Sequence, residues 1–277
     1  MSTLLRGAPV AERLTLDLSR RSAALRHRGV IPTLAILRVG SSPGDLAYEK
    51  SAAARCARCG IEVRRLFWDS AAPLADAIRA VNADPSIHGC LLLRPLADRA
   101  AEAAAGQQLL PDKDVDGMTP GSLAGLLTGQ SGFAPCTAQA CLELLDYYEV
   151  PLAGRRAVVV GRSLVVGQPA ALLLQRRNAT VTVCHTGTRD IPALCREADV
   201  LIAAAGQPGL ITADCLRPGQ TVLDVGVHPG PGGTLCGDVA AEAAALDVAL
   251  TPVPGGVGSV TSAVLCKHTV QAAEKTL

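Results

Sequence analysis

Residues 155–169 read Arg-Arg-Ala-Val-Val-Val-Gly-Arg-Ser-Leu-Val-Val-Gly-Gln-Pro. The apolar run 157–160 is typical of a buried strand. It ends at a glycine turn and is followed by an apolar segment that predicts a helix opening near Val166. This order begins a βαβ unit. The turn brings backbone N–H groups and a helix N-terminus to the carboxyl end of a strand, an arrangement that attracts phosphate.

The turn departs from the usual dinucleotide fingerprint, G-x-G-x-x-G. Ser163 stands two residues after Gly161, where the fingerprint has its second glycine, and the next glycine is Gly167. On spacing alone, an ordinary strand-to-helix turn and a dinucleotide site are equally good interpretations. The next strand, 181–184, is followed by residues 185–189, which contain no acid where a ribose-binding carboxylate belongs. Hydroxyls and cations suit a 2′-phosphate, so the sequence favours NADP over NAD for any dinucleotide bound here.

The composition narrows the class of protein. A length of 277 residues predicts one large or two ordinary α/β domains. A net charge of +1 and 2% aromatic residues argue against a nucleic-acid partner. The apolar runs are of strand length and are interrupted by Arg, Gly or Pro, so we expect a soluble cytoplasmic protein without an export signal or a membrane span.

The ten cysteines are scattered through predicted strands and helices. We expect them to be reduced and to pack as small hydrophobic residues. Cys56 and Cys59 form a CxxC pair, but no second pair stands at metal spacing. No cluster of His, Asp and Glu has ligand spacing either, so we expect no metal site.

Apolar periodicity predicts alternating helices and strands along the chain. In the first third these are a helix 8–28, a strand 32–39, a helix from Asp45 as N-cap to Gly60, a strand 61–67, a helix 73–83 and a strand 87–93. Further on, a helix 137–148 leads into the strand 157–160, and strands 180–184, 199–204 and 221–225 alternate with helices before a final helix 261–275. The fold class is therefore α/β with a parallel sheet.

Two loops carry unusual residues. Pro111–Gly117 is charged in an otherwise apolar chain; such clusters are usually solvated turns, although the flanking core segments weaken that interpretation here. Thr251–Thr261 is rich in Gly and Pro and follows a strand end, which favours a functional loop because glycine permits close backbone approach to a ligand.

Four stretches in order resemble one family, the bifunctional methylenetetrahydrofolate dehydrogenase/methenyltetrahydrofolate cyclohydrolases of the FolD type. They are Lys-Asp-Val-Asp-Gly at 113–117, Gly-Arg-Ser at 161–163 continuing to Val-Gly-Gln-Pro at 166–169, Asp-Val-Gly-Val at 224–227 and Pro-Val-Pro-Gly-Gly-Val-Gly at 252–258. The similarity covers nearly the whole chain. Each motif alone is modestly specific, and the four together are strongly so.

The resemblance implies two α/β domains with a cleft between them. Residues 1–135 would form a folate-binding catalytic domain, 136–257 a Rossmann-type NADP domain, and 258–277 a helix returning to the first domain. The implied ligands are NADP and tetrahydrofolate derivatives, and the implied assembly is a homodimer. No nucleic-acid or membrane partner is expected.

The resemblance also assigns site residues by position. Tyr48 and Asp116 would be catalytic and bind substrate, with Asp116 accepting hydrogen bonds from the pterin. The remaining folate contacts would be Pro254, Gly255, Gly256, Val257 and Gly258. The NADP contacts would be Gly161, Arg162, Ser163, Gly167, Thr186 and Val227, with Arg162 and Thr186 at the 2′-phosphate and Val227 at the nicotinamide.

The second helix departs from the family pattern, in which Tyr is followed four residues later by Lys. Here Tyr48 is followed at that distance by Ala52. Lys50 lies about 200° around the helix from Tyr48 and should point away. Arg55 shares the face of Tyr48, but an arginine keeps its proton near neutral pH and cannot shuttle it.

A second departure follows the predicted strand 87–93. The family has a glutamine there that supports the lysine, whereas this chain has Leu93. Arg94 is a candidate substitute, but strand alternation places it opposite Leu93 and away from the site. Ser259 replaces the proline usual after the last motif.

These changes lead to a hypothesis with two alternatives. Hydride transfer needs alignment, so we expect the dehydrogenase activity to be kept; hydrolysis needs acid–base help, so it should be weak, absent or run by another group. One alternative is a two-domain NAD(P) dehydrogenase of another small substrate, such as a hydroxy acid or a shikimate-like ring, although no catalytic His–acid or Lys–Asp pair stands out. The other is a non-catalytic folate- or nucleotide-binding protein. We interpret His88, His185 and His228 as residues whose side chains hydrogen-bond to nearby parts of the chain.

Overall fold

Alternating strands and helices are present in the computed structural model, which describes residues 2–277. The elements up to the middle of the chain are β1 (Thr3–Leu4), α1 (Gly7–His27), β2 (Thr33–Val39), α2 (Pro43–Arg58), β3 (Glu62–Trp68), α3 (Leu74–Ala83), β4 (Gly89–Leu92), α4 (Arg99–Gln108), α5 (Pro120–Thr128) and α6 (Cys136–Tyr147). Those that follow are β5 (Arg156–Val160), α7 (Gly167–Arg176), β6 (Thr180–Cys184), α8 (Ile191–Glu197), β7 (Val200–Ala203), β8 (Thr221–Asp224), β9 (His228–Pro229), β10 (Leu235–Cys236), β11 (Ala249–Leu250) and α9 (Gly258–Glu274).

The chain divides into two compact units. One comprises Met1–Ala11 and Thr137–Thr261, and the other comprises Glu12–Cys136 and Ser262–Leu277. We call the first the dinucleotide unit and the second the Asp116 unit. No helix within residues 2–277 is both long enough and apolar enough to cross a bilayer.

The Asp116 unit is built on a three-stranded parallel sheet in the order β3-β2-β4. The central strand β2 is buried along most of its length, which explains its continuous apolar run. Leu37 and Leu92, opposite each other in register, pack with Ile78 of α3 in one hydrophobic cluster. The carboxyl end of β4 therefore emerges from a rigid core.

The dinucleotide unit contains a six-stranded parallel sheet in the order β1-β11-β8-β7-β5-β6. Its core includes Val158 of β5, Leu201 of β7 and Val222 of β8. The chain passes from β5 to β6 on one side and then to β7 on the other. Because ligands of such sheets bind where the strand order reverses, the carboxyl ends of β5 and β7 are the expected ligand edge.

The α/β class and the long helices and strands agree with those predicted from the sequence, but several details differ. The α2 helix begins at Pro43 with Ser42 as its N-cap, so the prediction of Asp45 as N-cap is wrong. Ser42 Oγ instead accepts the backbone N–H of Asp45 at 3.1 Å, and the proline suits the first helical turn. Between β7 and β8 the chain forms only the short 3₁₀ turn Ala213–Cys215 and not the expected helix.

The charged loop 111–117 is firmly anchored and is not a solvated turn. Asp114 is fully buried, and its carboxylate accepts the backbone N–H groups of Met118 at 3.0 Å and Thr119 at 2.7 Å. The backbone N–H of Cys90, on β4, donates to the Lys113 carbonyl at 2.7 Å. The loop is thereby fixed to the end of the sheet.

The side chain of Lys113 completes this anchor. Its Nζ donates to the carbonyl oxygens of Val81 and Asp84, each at 2.6 Å. These are carbonyls at the C-terminal end of α3, where a cation is favoured by the unpaired carbonyls and the helix dipole.

We expect Lys113→Met to lower the free energy of unfolding by about 1–3 kcal/mol, because two carbonyls lose a charged donor. Urea denaturation measures this change. The matched control is Lys50→Met on the exposed surface of α2, which should stay within about 0.5 kcal/mol of the parent. Equal effects of the two substitutions would contradict the anchoring role of Lys113.

Candidate active site

A cavity of about 260 Å³ lies at the end of β4 in the Asp116 unit, and we call it the Asp116 pocket. Helix α2 supplies two side chains, β4 and the residues after it supply four, and the anchored loop supplies one. The lining residues are Asp45, Tyr48, Leu91, Leu92, Leu93, Arg94 and Asp116. The structure thus brings together Tyr48 and Asp116, the two residues expected to be catalytic.

The ionisable groups of this pocket have shifted affinities for protons. Burial raises the pKa of Asp116 to about 6; the nearby Asp114 charge adds to the shift, and Arg94 opposes it. Tyr48 is 38% exposed, but partial desolvation of its phenol and the Asp116 charge raise its pKa above the ordinary value. At neutral pH the phenol is therefore a hydrogen-bond donor or acceptor but not a base.

Ala52 and Leu93 stand where the resemblance places Lys and Gln. Ala52 is 1% exposed and Leu93 is 5% exposed, so both positions are apolar and buried. Arg55 does not replace the lysine, since it donates from Nη1 to Thr15 Oγ1 at 3.2 Å and does not line the Asp116 pocket.

The prediction that Arg94 points away from the site is wrong. Its Nη2 donates to Asp116 Oδ2 at 3.3 Å, and the residue lines the pocket. The physical reason is that β4 ends at Leu92. Strand alternation therefore does not extend to Arg94.

The turn after β5 is closed so tightly that it needs glycine at two positions. Gly161 has φ 126°, and a Cβ there would collide with the carbonyl oxygen of Ala204. A Cβ on Gly167 would collide with the Gly161 carbonyl oxygen. Ser163 shapes the same turn, because its Oγ accepts the backbone N–H of Val166 at 3.1 Å.

A cavity of about 300 Å³ opens at this turn, and we call it the dinucleotide cavity. It is lined by Val160, Gly161, Arg162, His185, Thr186, Ile191, Ala205, Gln207 and Leu210. Among these residues there is no carboxylate, whereas a guanidinium and a hydroxyl are present. Apolar walls with a cation, a hydroxyl and a glycine turn fit an adenine nucleotide that carries a 2′-phosphate.

His185 lines the dinucleotide cavity, and its side chain also makes a hydrogen bond within the protein. Its Nδ1 accepts the backbone N–H of Gly187 at 3.1 Å. Ser163 and Gly167, which were expected to contact the cofactor, shape the turn but do not line this cavity.

Val227 is not among the residues that line the dinucleotide cavity. It lines a third cavity of about 260 Å³, also in the dinucleotide unit, together with all five residues expected to contact folate in the glycine-rich loop. Those residues are Pro254, Gly255, Gly256, Val257 and Gly258. The structure thus groups the expected nicotinamide contact with the expected folate contacts.

A pair of buried carboxylates holds the loops around these cavities. Neither carboxylate is predicted from the sequence as a site residue. Asp224 accepts the backbone N–H groups of Gly226, Asp238 and Val239 at 2.9–3.1 Å. Burial raises the pKa of Asp224 to about 6. Asp224 lies in the stretch 224–227 that carries the resemblance, but the resemblance assigns no role to its carboxylate.

Asp238 had no sequence signal. Its Oδ2 accepts the backbone N–H groups of Ala205 at 2.6 Å and Gly206 at 2.9 Å, and its Oδ1 lies 2.8 Å from His228 Nε2. His228 therefore orients Asp238, and Asp238 fixes the loop after β7 that borders the dinucleotide cavity.

We expect Asp116→Asn to stabilise the protein more at pH 8 than at pH 4.5. Folding raises the pKa of Asp116, so its contribution to stability is fully present below the ordinary pKa of about 4 and is lost as pH rises through about 6. The neutral amide avoids this loss, which amounts to about 1–3 kcal/mol. Denaturant unfolding at the two pH values measures the difference.

The control for this prediction is Asp69→Asn on the exposed surface of the same unit, which should change stability by less than about 0.5 kcal/mol at either pH. An Asp116→Asn variant less stable than the parent at pH 8 would show that the carboxylate is favourably paired in the folded state.

Comparison with known proteins places the chain in one family. Residues 5–116 match the catalytic-domain model of tetrahydrofolate dehydrogenase/cyclohydrolase, and residues 135–277 match its NAD(P)-binding-domain model. The bifunctional protein FolD of Alkaliphilus oremlandii is 44% identical over 98% of this chain and 97% of its own length.

Solved structures agree. The bifunctional enzyme FolD from Campylobacter jejuni superposes with a TM-score of 0.94 at 37% identity, covering 100% of both chains. The Trypanosoma brucei enzyme, solved with NADP and an inhibitor, has a TM-score of 0.90 at 32% identity over 99% of this chain and 98% of its own. This chain belongs to the tetrahydrofolate dehydrogenase/cyclohydrolase family.

Proposed function

We propose that this protein oxidises 5,10-methylenetetrahydrofolate to 5,10-methenyltetrahydrofolate with NADP⁺, and that it hydrolyses the methenyl product slowly or not at all. Family membership supports the first part. The observation that carries the second is that two buried apolar residues, Ala52 of α2 and Leu93 in the lining of the Asp116 pocket, stand where the resemblance places the lysine and the glutamine. We also propose that the protein forms a homodimer, as the resemblance implies, and works in the cytoplasm, where thiols such as its ten free cysteines stay reduced.

Hydride transfer requires alignment of the two reactants and exclusion of water. NADP⁺ supplies the hydride acceptor when bound. Arg162 and Thr186 would hold its 2′-phosphate, and Gly161 would allow the backbone to approach the phosphates. Asp116 would hold the pterin by accepting hydrogen bonds from its ring N–H and 2-amino groups, and Tyr48 would close the side of the pocket formed by α2.

Hydrolysis makes additional demands on the same pocket. Water adds to the methenyl carbon, loses a proton to a base, and the carbon–N5 bond breaks as N5 gains a proton. Tyr48 has a raised pKa and stays protonated, and Arg94 cannot release a proton near neutral pH. Asp116 is committed to the pterin. Asp45 is the remaining ionisable side chain that lines the pocket.

The proposed oxidation is tested by following NADPH formation by purified protein from 5,10-methylenetetrahydrofolate with NADP⁺, and then with NAD⁺. We expect NADPH to form and the methenyl product to accumulate, with NAD⁺ a poorer acceptor. Absence of NADPH formation, with folate binding intact, would support the non-catalytic alternative. Should the methenyl product fail to accumulate, Asp45→Asn would show whether Asp45 has become the base.

We expect Arg162→Ala to raise the KM for NADP⁺ by roughly tenfold to a hundredfold and to leave the KM for NAD⁺ nearly unchanged, because only NADP⁺ carries the 2′-phosphate. Initial-rate kinetics with both cofactors measure this.

The matched control for Arg162 is Arg155→Ala, at the opposite end of β5. It removes the same charge far from the turn and should alter neither KM. If Arg162→Ala raises the KM for NADP⁺ and for NAD⁺ equally, Arg162 contacts a part that the two cofactors share. The assignment of Arg162 to the 2′-phosphate would then be wrong.

A further inference from the structure

Arg94 is a cation for which the family pattern provides no role. It lies directly after β4 and is part of the lining of the Asp116 pocket. Among the residues that line this pocket it carries the sole positive charge, and Asp45 and Asp116 supply two carboxylates to the same lining. An arginine in a substrate cavity is a strong and permanent hydrogen-bond donor.

The hydrogen-bonding capacity of Arg94 is not used up within the protein. Its Nη2 makes one long contact of 3.3 Å to Asp116 Oδ2, in place of the two parallel bonds of a bidentate arginine–carboxylate pair. Its Nε is buried without a hydrogen-bond partner. A buried, unpaired N–H is costly, so a shift of the guanidinium that satisfies more of its donors is favourable.

Together the two side chains form a recognition edge. The Arg94 guanidinium presents N–H donors, and the adjacent Asp116 carboxylate presents two acceptor oxygens. The pyrimidine edge of a pterin carries the complementary series: a 4-oxo acceptor, the ring N3–H donor and the 2-amino donor. The donors of Arg94 and the acceptor oxygens of Asp116 therefore complement the three groups of the pterin edge, as the donors and acceptors of paired bases do in nucleic acid.

We propose that Arg94 is a substrate-contacting residue that donates to the 4-oxo group of the pterin while Asp116 accepts from N3–H and the 2-amino group. This inference rests on the proposed folate substrate. It makes Arg94 a determinant of specificity, since a 4-amino pterin presents a donor, not an acceptor, to the guanidinium.

The test is calorimetric binding of tetrahydrofolate and of its 4-amino analogue to the full-length protein under reducing conditions. We expect the parent to prefer tetrahydrofolate. Arg94→Met should bind tetrahydrofolate about tenfold more weakly and the 4-amino analogue no more weakly, because a charged hydrogen bond to the 4-oxo group is lost. The preference for the 4-oxo ligand should thus fall by about tenfold.

Two further variants keep the result interpretable. Arg94→Lys retains a donor and should keep part of the preference, which also covers the case in which Arg94→Met fails to fold. Arg99→Met removes an exposed arginine of the same unit and should leave both affinities unchanged. If Arg94→Met weakens both ligands equally or neither, the proposed contact is wrong.

This experiment is independent of turnover. Selective binding that depends on Arg94, without NADPH formation, would overturn the proposed oxidation and leave the Arg94 contact standing. NADPH formation with an unchanged preference in Arg94→Met and Arg94→Lys would overturn the Arg94 contact alone. Failure of the parent to bind tetrahydrofolate would overturn both.

Discussion

The Asp116 pocket depends on the buried carboxylate of Asp114. A carboxylate removed from water is costly unless it is hydrogen-bonded, and Asp114 accepts the backbone N–H groups of Met118 and Thr119. The backbone of Cys90 fastens the same loop to β4, and Lys113 fastens it to α3. The loop cannot move without breaking several of these bonds, so Asp116 is held beside the end of β4.

Buried carboxylates also order the loops of the dinucleotide unit. Asp224 and Asp238 are buried carboxylates that accept backbone N–H groups from the loops at the carboxyl ends of the parallel strands. In both units the sheet provides the rigid support, and a carboxylate orders the irregular backbone where ligands of parallel sheets bind. Asp116 differs from these anchors because it is only partly buried and lines a cavity.

The long elements could be predicted from the sequence because their apolar periodicity is strong and their ends carry clear glycine signals, as at Gly161. The two-residue strands β1 and β11 are too short to show any alternation. Lys113 and Asp114 were visible as a charged cluster, but only packing decides whether such a cluster is solvated or buried. The prediction for Arg94 is wrong because the end of a strand decides where side-chain alternation stops, and the position of a strand end is defined only to about two residues.

We propose that Ala52 and Leu93, which stand where the family has Lys and Gln, separate hydride transfer from hydrolysis. The most direct measurement supplies 5,10-methenyltetrahydrofolate itself, without NADP⁺, and follows its absorbance with and without the protein. We expect decay close to the uncatalysed rate in a preparation whose dehydrogenase activity is intact. Protein-dependent decay as fast as hydride transfer would contradict it, because the pocket would then contain an effective acid–base group despite both replacements.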